Sequence, residues 1–182
     1  MIFISGMFIY KLTTNIMKPS KNLLLVLILS FITLYGCQQN SEEITDAERV
    51  EIERTIRNLM DDLTEAVNEH DAVEIMAFCW NSKDYYYVGN GKVFKGFQDN
   101  FNSAVALHSD PKYKSFTVDY SEIIVKVINK DVAKVIGIGS FNNFPTDEGT
   151  TSVDLAITFL FEKIDGQWLI TFGHESTYEE IF

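Results

Sequence analysis

Between Val153 and Phe161 the chain reads VDLAITFLF, with Val153, Leu155, Ile157, Phe159 and Phe161 at every second place. Successive side chains of a strand point to opposite faces, so this spacing lines one face of a sheet with large apolar groups. A helix, which repeats every 3.6 residues, would scatter them. Such a sheet face has to be covered, and the cover is written nearer the start of the chain. Ile52, Ile56, Leu59, Met60, Leu63 and Val67 form one apolar stripe at helical spacing, with Glu, Arg and Asp on the opposite side. The stripe predicts an amphipathic helix from Asp46 to about the NEHD of residues 68–71.

The same two periods read the rest. Asp71, three residues ahead of Glu74, resembles a helix start and predicts a short helix from Ala72 to about Trp80, with Val73, Met76, Ala77 and Trp80 inward. DYYYVGNGKVFKG is an aromatic run, a Gly-Asn-Gly turn and a second short run, which predicts a hairpin. A third helix is expected from Phe97 to about His108, broken by SDPKY. Beyond it, Phe116, Val118 and Tyr120 share one parity and Ile123, Val125 and Val127 the other, so a β-bulge is expected near Ser121 or Glu122. The strand Val132–Phe144 carries Gly137 and Gly139 on one face, where a curved sheet needs room. After an Asp165-Gly166 turn, alternation places Trp168, Ile170, Phe172 and His174 on one face of the last strand. The order predicts an α+β domain, with helices packed on one side of an antiparallel sheet.

The first residues are a separate matter. Leu23–Tyr35 is apolar apart from Ser30 and Thr33, too short for a membrane-spanning helix of about 20 residues. With MKPSKN before it and YGC after, it has the parts of a secretory signal. The stretch Met17–Cys37 resembles a bacterial lipoprotein signal peptide, and LYGC resembles its lipobox. That resemblance implies that Cys37 receives a diacylglycerol and that the chain is cut just before it. Residues 1–36 are then the signal (with Met17 as an alternative start), 37–46 the lipidated cysteine and a flexible tether, and 47–182 the folded domain. No Asp follows Cys37, so the inner-membrane retention signal of some lipoproteins is missing. An exported chain anchored in the outer membrane, with the bilayer as its partner, is expected. Cys79 is left without a partner and is expected to be a small buried hydrophobe; the alternative is a Cys37–Cys79 bridge in an unlipidated chain. Lys11, Lys18 and Lys21 are the charged residues of 1–37, so 12 of the 15 basic residues remain against 26 acidic ones, a net of −14. Such a domain repels phosphate, which argues against a nucleic-acid partner.

Three segments in order resemble the nuclear-transport-factor-2-like superfamily, specifically its SnoaL-like and ketosteroid-isomerase-like domains. They are LTEAVNEHDAVEIMAFCWNSKDYYYVGNGKVFKGFQD, the helix from Phe97 that follows Gly91 and Gly96, and DGQWLITFGHES. The likeness covers about Ala47 to Tyr178. It implies a curved sheet wrapped into a cone, with three helices from the N-terminal half enclosing a pocket. Members include isomerases, dehydratases, ligand-binding proteins and pure assembly domains, so the fold leaves the activity open. Many relatives carry a second His two residues before the matched one, where this chain has Phe172, which counts against a His-pair site.

Within such a pocket His174 is the natural acid–base candidate, because imidazole titrates near neutrality. Tyr85, Tyr86, Tyr87 or Tyr120 could supply a phenol, and Asp154 or Glu175 a carboxyl. The candidate catalytic set is His174, Tyr87 and Asp154; the competing account has His174 simply hydrogen-bonded at the sheet end. Trp80, Tyr85, Phe101, Tyr120, Phe141, Phe161, Trp168 and Phe172 are candidates to line a cavity for an apolar ligand. Core packing, or an outer sheet face used for dimerisation, competes for them. His70, His108 and His174 lie on different elements without ligand-like spacing, and GNGKVFKG lacks a phosphate-loop pattern, so neither a metal nor a cofactor is expected. The expected function is binding of a small, mainly apolar ligand, homodimerisation, or both. A lyase or isomerase using His174 with a tyrosine is the first alternative and a pure assembly module the second.

Overall fold

The computed structural model describes residues 43–178. Their order is α1 (Asp46–Glu69), α2 (Ala72–Ala77), β1 (Tyr86–Gly89), β2 (Lys92–Lys95), α3 (Phe97–Ser109), a 3-10 turn (Pro111–Tyr113), β3 (Thr117–Asn129), β4 (Val132–Thr146), β5 (Gly149–Ile164) and β6 (Gln167–Tyr178). The expected signal, Cys37 and the first part of the tether lie outside the described residues.

Thr45 starts α1 through a reciprocal capping box: its hydroxyl accepts from the Glu48 N–H at 3.2 Å, and the Glu48 carboxylate accepts from the Thr45 N–H at 2.9 Å. Ile56, Met60, Leu63 and Ala66 are the buried stripe, close to the one predicted. Asp71 caps α2, accepting from the N–H groups of Val73 and Glu74, both at 3.0 Å. That helix stops at Ala77, three residues short of the expected end, and Val73 and Ala77 are exposed. Strand pairing is the reason. Ile170 N–H donates to the Phe78 carbonyl at 2.8 Å and Trp80 N–H to the Ile170 carbonyl at 2.9 Å, so the chain leaves the helix to bridge β6. Asn90 and Gly91 both take positive φ, 47° and 81°, which is the two-residue hairpin turn that an Asn-Gly pair favours.

The six strands form a curved, unclosed sheet in the order β2-β1-β6-β5-β4-β3. Neighbours are antiparallel except for β1 and β6, which run parallel. β5 buries Val153, Leu155, Ile157, Phe159 and Phe161 against the helices, as its alternation requires. β3 is an edge strand, and α1 covers its open side. Asn68 closes the Val118 peptide from both directions, donating to its carbonyl at 3.1 Å and accepting from its N–H at 2.7 Å. Arg57 donates to the Ile123 carbonyl at 2.8 Å and Arg49 to the Val127 carbonyl at 2.7 Å. Three side chains of one helix thereby occupy ladder groups that a second sheet could otherwise pair with. Asn68→Ala should cost about 2 kcal/mol or more, because it strips both partners from the buried Val118. Urea denaturation checks this, and a loss below ~0.5 kcal/mol would show that water replaces the amide.

Of the four register irregularities in the ladders of the described residues, two decide which polar side chains face inward. The first lies between Tyr120 and Glu122, where the parity switch predicts it. The second does not follow from the alternation. Leu160 pairs with Phe172 and Phe161 with Ile170, so Thr171 is an extra residue in β6. Its side chain is buried, and its hydroxyl donates to the Leu160 carbonyl at 3.4 Å, inside the irregular step.

Candidate active site

One extra residue moves every later side chain of a strand to the other face. Past Thr171, Phe172 and His174 therefore turn outward, while Gly173, Glu175 and Thr177 turn inward. The expectation that His174 faces the pocket is corrected by this bulge: it is exposed, paired across the ladder with Thr158 and Val88. Asp154 is exposed as well, since it alternates with the buried Val153 and Leu155. Of the three candidate catalytic residues, Tyr87 alone reaches the interior.

The interior holds a cavity of about 520 Å³ between the helices and the concave sheet face. Leu63, Val67, Val118 and Ile157 supply apolar wall, and Tyr85, Tyr120 and Phe141 line it as expected. The other five aromatic candidates do not line it. Phe161 is fully buried in the core, Phe101 stacks on Phe97 at 5.9 Å, Trp168 lies under the Lys163 ammonium, Trp80 joins the bridge to β6, and Phe172 is outside.

Several polar groups on the wall are partnered within the domain. The Tyr87 hydroxyl donates to Glu175 Oε2 at 2.7 Å. Tyr87 can lie across β6 because Gly173 is its ladder partner: a Cβ there would sit 2.6 Å from the ring. Burial among apolar groups raises the Glu175 pKa above the ordinary value, although the Tyr87 hydroxyl and the nearby His174 pull it down. Part of the Glu175 surface meets the cavity, so the residue is not closed off even though protein atoms desolvate it. Burial, and then the Glu175 charge, push the Tyr87 and Tyr120 phenols up, so both keep their protons and serve as donors. Further along the wall, Asn100 donates to the Tyr85 hydroxyl at 3.0 Å, and that hydroxyl donates to Cys79 Sγ at 3.5 Å. Cys79 is buried, as expected, and burial pushes its thiol up to about 11, which leaves it unreactive. His108 also lines the cavity, with its Nδ1 3.2 Å from Nδ1 of His70.

A buried carboxyl with a raised pKa, a donor phenol on one oxygen and apolar surroundings can hold a polar group of a ligand, or exchange a proton with it. Glu175 was one of two carboxyls the sequence offered. The signal for it is Gly173: placed inward, as Gly137 and Gly139 are, it brings Glu175 inward with it.

A SnoaL-like domain family model matches residues 56–179. The chain belongs to this family. No curated protein matches the sequence. Among solved structures, the SnoaL-like domain is similar to a nuclear-transport-factor-2-like protein of unknown function from Shewanella oneidensis, with 24% identity, 66% of this chain and 95% of the other covered, and a TM-score of 0.55. It is also similar to a protein from Xanthomonas campestris provisionally named a calcium/calmodulin-dependent protein kinase II association domain, with 21% identity, 70% and 89% covered and a TM-score of 0.58. A third, from Novosphingobium aromaticivorans and provisionally named a scytalone dehydratase, shares 14% identity over 74% and 89% with a TM-score of 0.62. At these identities the likeness carries the fold of the SnoaL-like domain and nothing of its chemistry.

Proposed function

We propose that this SnoaL-like domain binds a small, mainly apolar molecule in its cavity, and that the chain which carries it is exported and held to the outer membrane by acyl groups on Cys37. The carrying observation is the cavity itself, about 520 Å³ of mostly apolar wall with the Tyr87–Glu175 pair set into it. That is the usual composition of a small-molecule site, in which a few polar groups orient an apolar body. Homodimerisation is part of the same reading. Ile124, Ile138, Tyr86 and Phe172 leave 38–44% of their surface exposed on the outer face of the sheet, opposite the cavity.

Native mass spectrometry of the full chain, released from membranes in mild detergent, tests these claims together. The expected species starts at a diacylglyceryl-modified Cys37, has twice the protomer mass and carries a small non-covalent adduct that Ala104→Phe removes by filling the wall. A chain recovered unacylated and without adduct, whose cavity also refuses added apolar probes, would sink the reading.

A lyase or isomerase is the second reading, favoured by one observation: the carboxyl whose pKa is raised sits in hydrogen-bond contact with a phenol inside the cavity. In this form Glu175, held by Tyr87, replaces His174 as the acid–base group, with Tyr120 as donor to a developing oxyanion. Turnover that survives Glu175→Gln would remove this reading.

A further inference from the structure

We propose that the cavity takes an uncharged, elongated molecule with a hydrogen-bonding group at each end, one end held by Glu175 with Tyr120 and the other by His108. This rests on the ligand-binding reading above and adds to it the chemistry of the ligand.

The two ends are separated along β3. Tyr120, whose phenol feels the Glu175 charge, lies four residues beyond Phe116, against which the His108 ring packs at 5.7 Å between centroids; four residues of extended chain span roughly 13 Å. The wall between the ends is apolar, formed by Val118, Phe141 and Ile157. A ligand with one polar group would leave one end of this cavity unanswered.

The His108 end is a built arrangement. The ring is nearly buried, with 7% of its surface exposed, and His70 holds its Nδ1. His70 is itself fixed by an αL conformation, φ 57°, at the end of α1, and by edge contact with Phe116 at 4.8 Å. Among the described residues no other group hydrogen-bonds the His108 ring, so Nε2 is open to a partner. Two neutral imidazoles facing through Nδ1 share one proton, so one ring donates and the other accepts. Whichever way that proton lies, His108 Nε2 takes the complementary role, an acceptor when its Nδ1 donates and a donor when its Nδ1 accepts, and a ligand hydroxyl answers either. Burial, followed by the neighbouring His70 and Lys114, keeps His108 neutral down to about pH 4.

The other end accepts and donates. Tyr87 occupies Glu175 Oε2, leaving Oε1, and the Tyr120 phenol has no hydrogen-bond partner among the described residues. A ligand hydroxyl satisfies both. A charged ligand is disfavoured, because the apolar wall between the ends cannot solvate it, and an anion would in addition face the Glu175 carboxyl.

The test compares 4,4′-biphenol with 4-phenylphenol, matched rigid probes with a hydroxyl at two ends or at one. Binding is measured by calorimetry to the full chain in lipid nanodiscs, against empty discs. The two-ended probe should bind about tenfold tighter, despite the greater cost of dehydrating it. His108→Phe should reduce it to the level of 4-phenylphenol and leave the latter, seated at Glu175, within twofold. Equal affinities for the wild-type chain, or equal losses for both probes in the variant, overturn the proposal. Should neither probe bind, the ligand-binding reading falls with it; should 4-phenylphenol bind and the second hydroxyl add nothing, this inference alone fails. A second measurement needs no variant: the ¹⁵Nε2 resonance of His108 should move with the two-ended probe and stay in place with the other, and an unmoved resonance counts against the proposal.

Discussion

Gly139→Ala is expected to cost the domain more than about 3 kcal/mol, a large share of a total stability that is about 5–15 kcal/mol for most domains. Gly139 pairs with Tyr120 across β3 and β4, one step from the Ser121 bulge. A Cβ there would be driven into the Asp119 carbonyl oxygen and lie 2.8 Å from the Tyr120 Cα. Both are backbone atoms inside a ladder, so neither can step aside without opening the pairing. Gly137→Ala is the control. Its Cβ would meet the Ile157 side chain at 2.7 Å and the Tyr120 ring at 3.1 Å, groups that can rotate. Its cost should stay nearer the 1–3 kcal/mol of ordinary overpacking. Guanidinium denaturation of both variants checks the difference, and equal costs would mean that the bulge does not sit at Ser121. The consequence reaches the site, because the same bulge aims Tyr120 into the cavity.

That bulge was legible and the one in β6 was not, for a definite reason. In β3 the apolar residues change parity on either side of Ser121, so the sequence itself reports the extra residue. In β6 the outward residues after the bulge include Phe172, a large hydrophobe that continues the apparent alternation from Trp168 and Ile170. An exposed phenylalanine at 38% imitates a core position, and the inward residues, Gly173 and Glu175, look like surface ones. Period-2 reasoning therefore places His174 in the pocket and Glu175 outside, the reverse of what β6 does. The α+β class, α1, the hairpin turn and the β5 face were each carried by a local pattern strong enough to stand alone. The cavity wall was only partly readable, since Tyr85, Tyr120 and Phe141 are separated by whole elements and meet only through the curvature of the sheet.

Glu175 makes the domain less stable than it could be, and this gives the second large effect. Its folded pKa is raised above the unfolded value, with burial the leading cause. A group raised in this way contributes its stability fully below the unfolded pKa, and the contribution is lost as pH rises through the folded pKa. Wild-type stability should therefore fall on going from about pH 4 to pH 8 by the part that Glu175 controls, whereas Glu175→Gln, which still accepts from Tyr87, should lack that slope and be the more stable protein at pH 8. Tyr87→Phe acts in the opposite sense. It removes the 2.7 Å donor and leaves a buried carboxylate oxygen unmatched, which costs about 1–3 kcal/mol. That loss should grow as pH rises through the raised folded pKa, because more of the carboxyl is then ionised. Thermal melts of the three proteins across this range decide the matter; parallel curves for wild type and Glu175→Gln would mean that Glu175 titrates as a solvated surface group. A buried acid that lowers stability at neutral pH persists most readily where something other than folding uses it. In this domain the group within its reach is whatever enters the cavity.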